Sequence, residues 1–150
     1  MILALWAQGI ATISICTLII LVQVLVYPQF GSVGHKELTR YATDHVRRIS
    51  YVVGPIMLVE SLSLIVLWTF PAMRTTALYC ATASLILVWL LTFIKIIPIH
   101  KQLETVGDPQ AIPVLVRLNA YRTGLWLFKT LAIVSMLIQH SCTRVSLSLI

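Results

Sequence analysis

From residue 1 to residue 34 the chain carries no charged side chain. The apolar part of that stretch, about residues 4–27, rises about 1.5 Å per residue as a helix and so covers a hydrocarbon core of about 30 Å. Three more stretches of similar length follow at about residues 49–70, 76–98 and 118–139. Glu60 interrupts the second, Lys95 lies near the end of the third, and Arg122 and Lys129 lie inside the fourth. Backbone groups in lipid must bond within their own segment, and these runs are too long for barrel strands. The sequence therefore predicts an all-α integral membrane four-helix bundle, formed as one domain over residues 1–150.

Composition agrees. Of 150 residues, 59% are apolar and 11% charged, where a soluble domain is about half apolar and about a quarter charged. This excludes a soluble enzyme, a disordered regulator and a disulfide-stapled secreted module. The first stretch has neither a basic leader nor a small-residue cleavage signal, so it reads as a span and not as a cleaved signal peptide. Cys16, Cys80 and Cys142 are far apart and form no metal-binding spacing; they read as small packing residues. The net charge is +6, but no long basic run or aromatic stripe accompanies it. Nucleic acid is not an expected partner; membrane lipid is.

The segment at residues 70–75 is a short turn with a proline, which makes the second and third helices an antiparallel hairpin. The connections at residues 28–48 and 99–117 read as long polar loops, the second with a Gly107-Asp108-Pro109 turn. Val145, Leu147 and Leu149 alternate in the tail and read as interfacial. Lys and Arg set orientation. Eight of them (Lys36, Arg40, Arg47, Arg48, Lys95, Lys101, Arg117, Arg122) flank the long loops, against Arg74 and Arg144 on the other side. Both long loops are expected in the cytoplasm and both termini outside, in a membrane such as the bacterial inner membrane.

Ionisable residues within a bilayer are costly unless paired or facing water, which makes each a functional candidate. Glu60 and Lys129 each lie eleven residues from the cytoplasmic start of their spans. They are the expected mid-membrane ion pair, either fixing how two helices dock or handling protons at Glu60. Nearer the cytoplasm, Gln23 and Tyr27 share a face of the first helix. Asn119, Arg122, Trp126 and Lys129 form one polar stripe on the fourth helix, which must face the interior or a cavity. His45, read as preceding the second helix, and His100, after the third, stand at the same mouth. No ligand spacing for a metal accompanies them, so their expected work is proton transfer or hydrogen bonding. His35 reads as solvated, His140 as interfacial, and Lys95 as reaching to the interface. Pro28, Pro55 and Pro98 can bend axes and open a pocket, with Trp89 and Trp126 as aromatic walls and Trp6 and Trp68 as belt residues.

Local motifs add a resemblance. VQVLVYPQF closes the first helix, YATDHVRRISYVVGPIMLVE opens the second, IIPIHKQLE closes the third and RLNAYRTGLW opens the fourth. In order and motif the chain resembles a family of small four-helix membrane proteins that includes the anthrone oxygenases. The Asn-x-x-Arg-Thr start of the fourth helix is kept as Asn119, Arg122 and Thr123, whereas His100 stands where the family commonly has Asn. The resemblance implies oxygenation of an activated polycyclic phenol with no cofactor. That chemistry needs a general base (His45 or His100) and a cation, Arg122, on the oxyanion, with Gln23, Tyr27, Asn119 and Trp126 around the substrate.

Three functions remain. The chain binds or oxygenates a lipophilic quinone- or anthrone-like molecule; it is an accessory subunit, in a homo-oligomer or a larger membrane complex; or it is a transporter using Glu60. The accessory reading expects an internally satisfied polar cluster, no cavity, and an outer face of small residues such as Ala7, Gly9, Ala11 and Ser14. The transporter reading is weakened by the absence of an inverted repeat.

Overall fold

The computed structural model describes the backbone of residues 1–148 and the side chains of residues 1–141. The chain is an all-α integral membrane protein. Its four long helices are α1 (Ile2–Phe30), α2 (His35–Trp68), α3 (Thr76–Thr105) and α4 (Ala111–Ser148). Each is long and apolar enough to cross a bilayer. A 3₁₀ turn at Pro71–Met73 joins α2 to α3. Large apolar side chains such as Leu3, Ile10, Ile65 and Leu131 are more than 60% exposed, which is the expected state of a lipid-facing surface.

The long polar loops expected from the sequence are a correction. Residues 31–34 and 106–110 alone connect the helices at that end, because α2 starts at His35, α3 runs on to Thr105 and α4 starts at Ala111. Low hydropathy there marks where the helices leave the apolar layer, not where they stop. Leu38 and Ala42 recur at i and i+4 and are buried, as are Leu103 and Leu115 from the other helices. Asp44 and Arg47 lie on the more exposed face of the α2 extension and pair at 2.8 Å. His45 consequently lies within α2 and does not precede it. The interfacial reading of Val145, Leu147 and Leu149 falls outside the described side chains.

Two helices carry a widened turn. Val22–Val26 in α1 and Thr92–Ile96 in α3 wind as π-helix, and each ends two residues before a proline, Pro28 or Pro98. A proline ring collides with the carbonyl four residues earlier, and an extra residue in the turn moves that carbonyl aside. The two helices are thus wound alike at one depth.

The α3–α4 connection is pinned on α2. Gly107 has φ +66° and is buried, and a Cβ there would stand 2.7 Å from Thr39 Oγ1. Gly107→Ala should destabilise the protein by about 1–2 kcal/mol from the left-handed conformation alone. The contact with Thr39 adds to this, so thermal unfolding should show partial relief in a Thr39→Ala background. Full relief would mean that the backbone conformation costs nothing.

Helix α1 packs on both α2 and α4, and α3 packs on α4. Within the span the backbones of α2 and α3 stand apart and meet chiefly over Ile97–Thr105, while side chains bridge them: Trp89 Nε1 donates to Ser61 Oγ at 3.2 Å and Trp68 Nε1 to Thr82 Oγ1 at 3.0 Å. Between the Trp89–Ser61 bridge and the contacts at Ile97–Thr105 the two helices leave a gap. Two apolar clusters fill the rest. One runs through the span around Ile15, Leu64, Leu78 and Ile133, and the other lies at the basic end around Tyr27, Phe30, Leu38 and Leu103.

Candidate functional site

The opening between α2 and α3 is a cleft of about 380 Å³. That size is within the usual range for small-molecule sites, about 300–1,000 Å³. Its body is apolar, with Val22, Val53, Met57 and Ile96 among its walls. Trp89 and Phe93 from α3 also line it, their rings stacked at 5.1 Å. The polar groups gather at the basic end: Tyr27, His45, His100, Lys101, Glu104 and Arg122. Both π-helical segments contribute to the walls, through Val22 on α1 and Thr92, Phe93 and Ile96 on α3. The prolines therefore shape the cleft through the turns that accommodate them.

Tyr27 is at the centre of the polar group. Its hydroxyl is 3.2 Å from His100 Nε2, and the Arg122 guanidinium lies against it. The imidazoles of His45 and His100 stack with centroids 5.9 Å apart. Phe30 packs edge-on against His45 at 5.2 Å and against Tyr41 at 4.8 Å. With Tyr27 Oη accepting from Arg122, the phenolic proton is free to be donated to His100 Nε2. That tautomer leaves Nδ1–H of His100 as a donor, and this atom is buried without a hydrogen-bond partner. Thr92 Oγ1, also on the cleft wall, is buried and unpartnered as well. Buried polar atoms of this kind cost free energy unless something meets them.

Arg122 is 7% exposed. Its Nε donates to Asn119 Oδ1 at 3.0 Å, and Asn119 Nδ2 donates to Gln23 Oε1 at 2.7 Å. Among the described residues no carboxylate pairs with Arg122; the ion pairs there are Arg47–Asp44 and Lys129–Glu60. A buried guanidinium thus reaches a cleft without a carboxylate in ion-pair contact among the described residues.

Of the residues singled out in the sequence, Tyr27, His45, His100 and Arg122 come together on the cleft. Gln23 and Asn119 do not line it; they orient Arg122 from behind. Trp126 is a correction. It is fully buried in the core and away from the cleft wall, with Lys129 Nζ 5.8 Å from its ring. A bulky side chain on the polar stripe packs at the α4 interface, because the stripe passes through the middle of the bundle.

Glu60 and Lys129 form a separate polar layer. They are fully buried and bonded to each other. Gln8 Nε2 donates to Glu60 Oε1 at 2.6 Å, Thr12 Oγ1 to the same atom at 3.2 Å, and Ser63 Oγ to Gln8 Oε1 at 2.6 Å. Gln8, Thr12 and Ser63 were not read from the sequence as part of this site. The available signal was Gln8 and Thr12, one turn apart on an otherwise apolar helix, which places both on one face.

Glycine 9 and Ala11, expected on an outer packing face, are buried, and a Cβ on Gly9 would come within 2.8 Å of Leu137 of α4. Gly9 thus brings α1 and α4 close, whereas Ala7, Ala11 and Ser14 line a groove of about 330 Å³ against Pro55, Ile56 and Val59 of α2. No family model matches the chain, and no curated protein or solved structure matches it.

Proposed function

We propose that the chain binds a lipophilic aromatic molecule bearing a carbonyl or phenolate oxygen, of quinone or anthrone type, in the α2–α3 cleft. The observation that carries this reading is Arg122: a buried cation without a carboxylate partner, at the polar end of an apolar cleft. An oxygen carrying negative charge offsets the cost of that cation. The His100 Nδ1–H and Thr92 hydroxyl then gain the partners they lack. The walls at Trp89 and Phe93 suit a flat ring system, and entry is from the bilayer through the gap between α2 and α3.

The same arrangement supports oxygenase-like chemistry of the kind the resemblance implies. His45 has no hydrogen bond within the cluster and is the base, taking a proton from the activated ring carbon. Arg122 and His100 hold the enolate oxygen that results, and dioxygen is the oxidant for the enolate. The long basic extensions of α2 and α3 lie on the cytoplasmic side and the termini outside, from the distribution of Lys and Arg. The cleft also weighs against a purely accessory subunit, which needs no cavity.

Gly54 gives a test of the cleft separate from its chemistry. It lines the cleft, and a Cβ there would meet nothing within 4 Å. Gly54→Leu should fold normally and abolish saturable quenching of tryptophan fluorescence by an anthrone or a naphthoquinone in detergent. Equal, unsaturable quenching in both proteins would show partition into the micelle and overturn the site.

A further inference from the structure

At the end of the bundle opposite the basic extensions lies a second cavity, of about 320 Å³. It is bounded by the start of α1, the Pro71–Met73 turn and the last described turns of α4. Its lining differs in chemistry from the rest of the molecule. Met1, Met73 and Met136 bring three thioethers and His140 an imidazole. Met136 and His140 are four residues apart on α4, so their side chains stack on one face. Met73 and Met136 are almost fully buried. His140 Nε2 is buried without a hydrogen-bond partner, as is Thr75 Oγ1 on the same wall.

Ligand type selects the metal. Among the described residues no carboxylate and no thiol lines this cavity, whose other walls are Ala72, Thr75 and Gln139. Among the described residues no three His, Cys, Asp or Glu side chains cluster as a metal site. Hard cations and zinc are therefore poorly served. Thioethers with one imidazole are neutral, soft donors, and such sets select Cu(I). Among the described side chains the cation beside this turn is held away from the cavity, since Arg74 Nε and Nη2 donate to the Trp68 carbonyl at 3.2 and 3.1 Å.

We propose that Met73, Met136 and His140, with Met1 at the rim, form a Cu(I) site at this end of the bundle. His140 Nε2 is the nitrogen ligand and the thioether sulfurs complete the set. The purified full chain in detergent, titrated anaerobically with Cu(I) against a competing chelator, should retain stoichiometric metal. X-ray absorption should show sulfur together with imidazole scattering. His140→Ala and Met136→Leu should each weaken binding by about tenfold or more, at least the loss that removing an outer-shell partner causes. Met136→Leu nearly conserves volume, so an unchanged unfolding temperature separates loss of metal from loss of fold. Failure to hold Cu(I) against the chelator would overturn the proposal. So would unchanged affinity in the combined Met73→Leu, Met136→Leu, His140→Ala protein, which would assign the metal to the cysteines, or a preference for Zn(II) over Cu(I).

Discussion

Replacing Lys129 with alanine should destabilise the bundle by about 3–5 kcal/mol, the usual consequence of leaving one member of a buried ion pair alone. Glu60 would remain fully buried, with Gln8 and Thr12 as its hydrogen-bond donors and no cation. Glu60→Gln should act in the same direction, because it strands the Lys129 ammonium. The combined Glu60→Leu, Lys129→Met protein should recover most of the loss, since replacing both charges with apolar groups is often neutral or stabilising. Gln8 would still lack its partner, so recovery should be incomplete. Unfolding in mixed micelles reads all four proteins. Wild-type stability of Lys129→Ala would show that the pair does not dock α2 on α4. A stable Glu60→Gln protein that had lost a proton-coupled activity would make Glu60 a proton carrier.

Arg122→Ala should weaken binding of the anthrone or naphthoquinone by about 10- to 100-fold. A hydrogen bond to a charged group contributes about 1.5–3 kcal/mol, and each 1.4 kcal/mol is about tenfold in affinity. The fold should survive, because the substitution removes an unpaired buried cation and leaves Asn119 bonded to Gln23. His100→Ala should have a smaller effect on binding but a large one on any turnover, since it removes a donor and leaves Arg122 in place. Unchanged binding in both variants would remove the site from this end of the cleft.

Much of this architecture was legible in the sequence. Four long apolar stretches, the first without any charge, made four helices unavoidable, and the depth of Glu60 and Lys129 in their spans made them partners. The stripe on α4 pointed to Arg122. The helix ends were not legible, because hydropathy reports the edge of the apolar layer and the helices continue past it. The role of Trp126 was misread for a related reason. Periodicity places a residue on a face, and only packing decides whether that face meets a cleft or a neighbouring helix. The cleft itself was anticipated through Pro28, Pro55 and Pro98, but its form depends on the two π-helical turns. No local signal in the sequence distinguishes those from an ordinary proline kink.

The central claim is that the α2–α3 cleft holds a lipophilic oxygen-bearing aromatic on Arg122. Native mass spectrometry of the protein purified in mild detergent tests it most directly, run beside Arg122→Ala. An aromatic carbonyl or phenol bound to the wild type and absent from the variant is the predicted result. Stoichiometric partner proteins with no small molecule on the wild type would contradict the claim and make the chain a structural subunit.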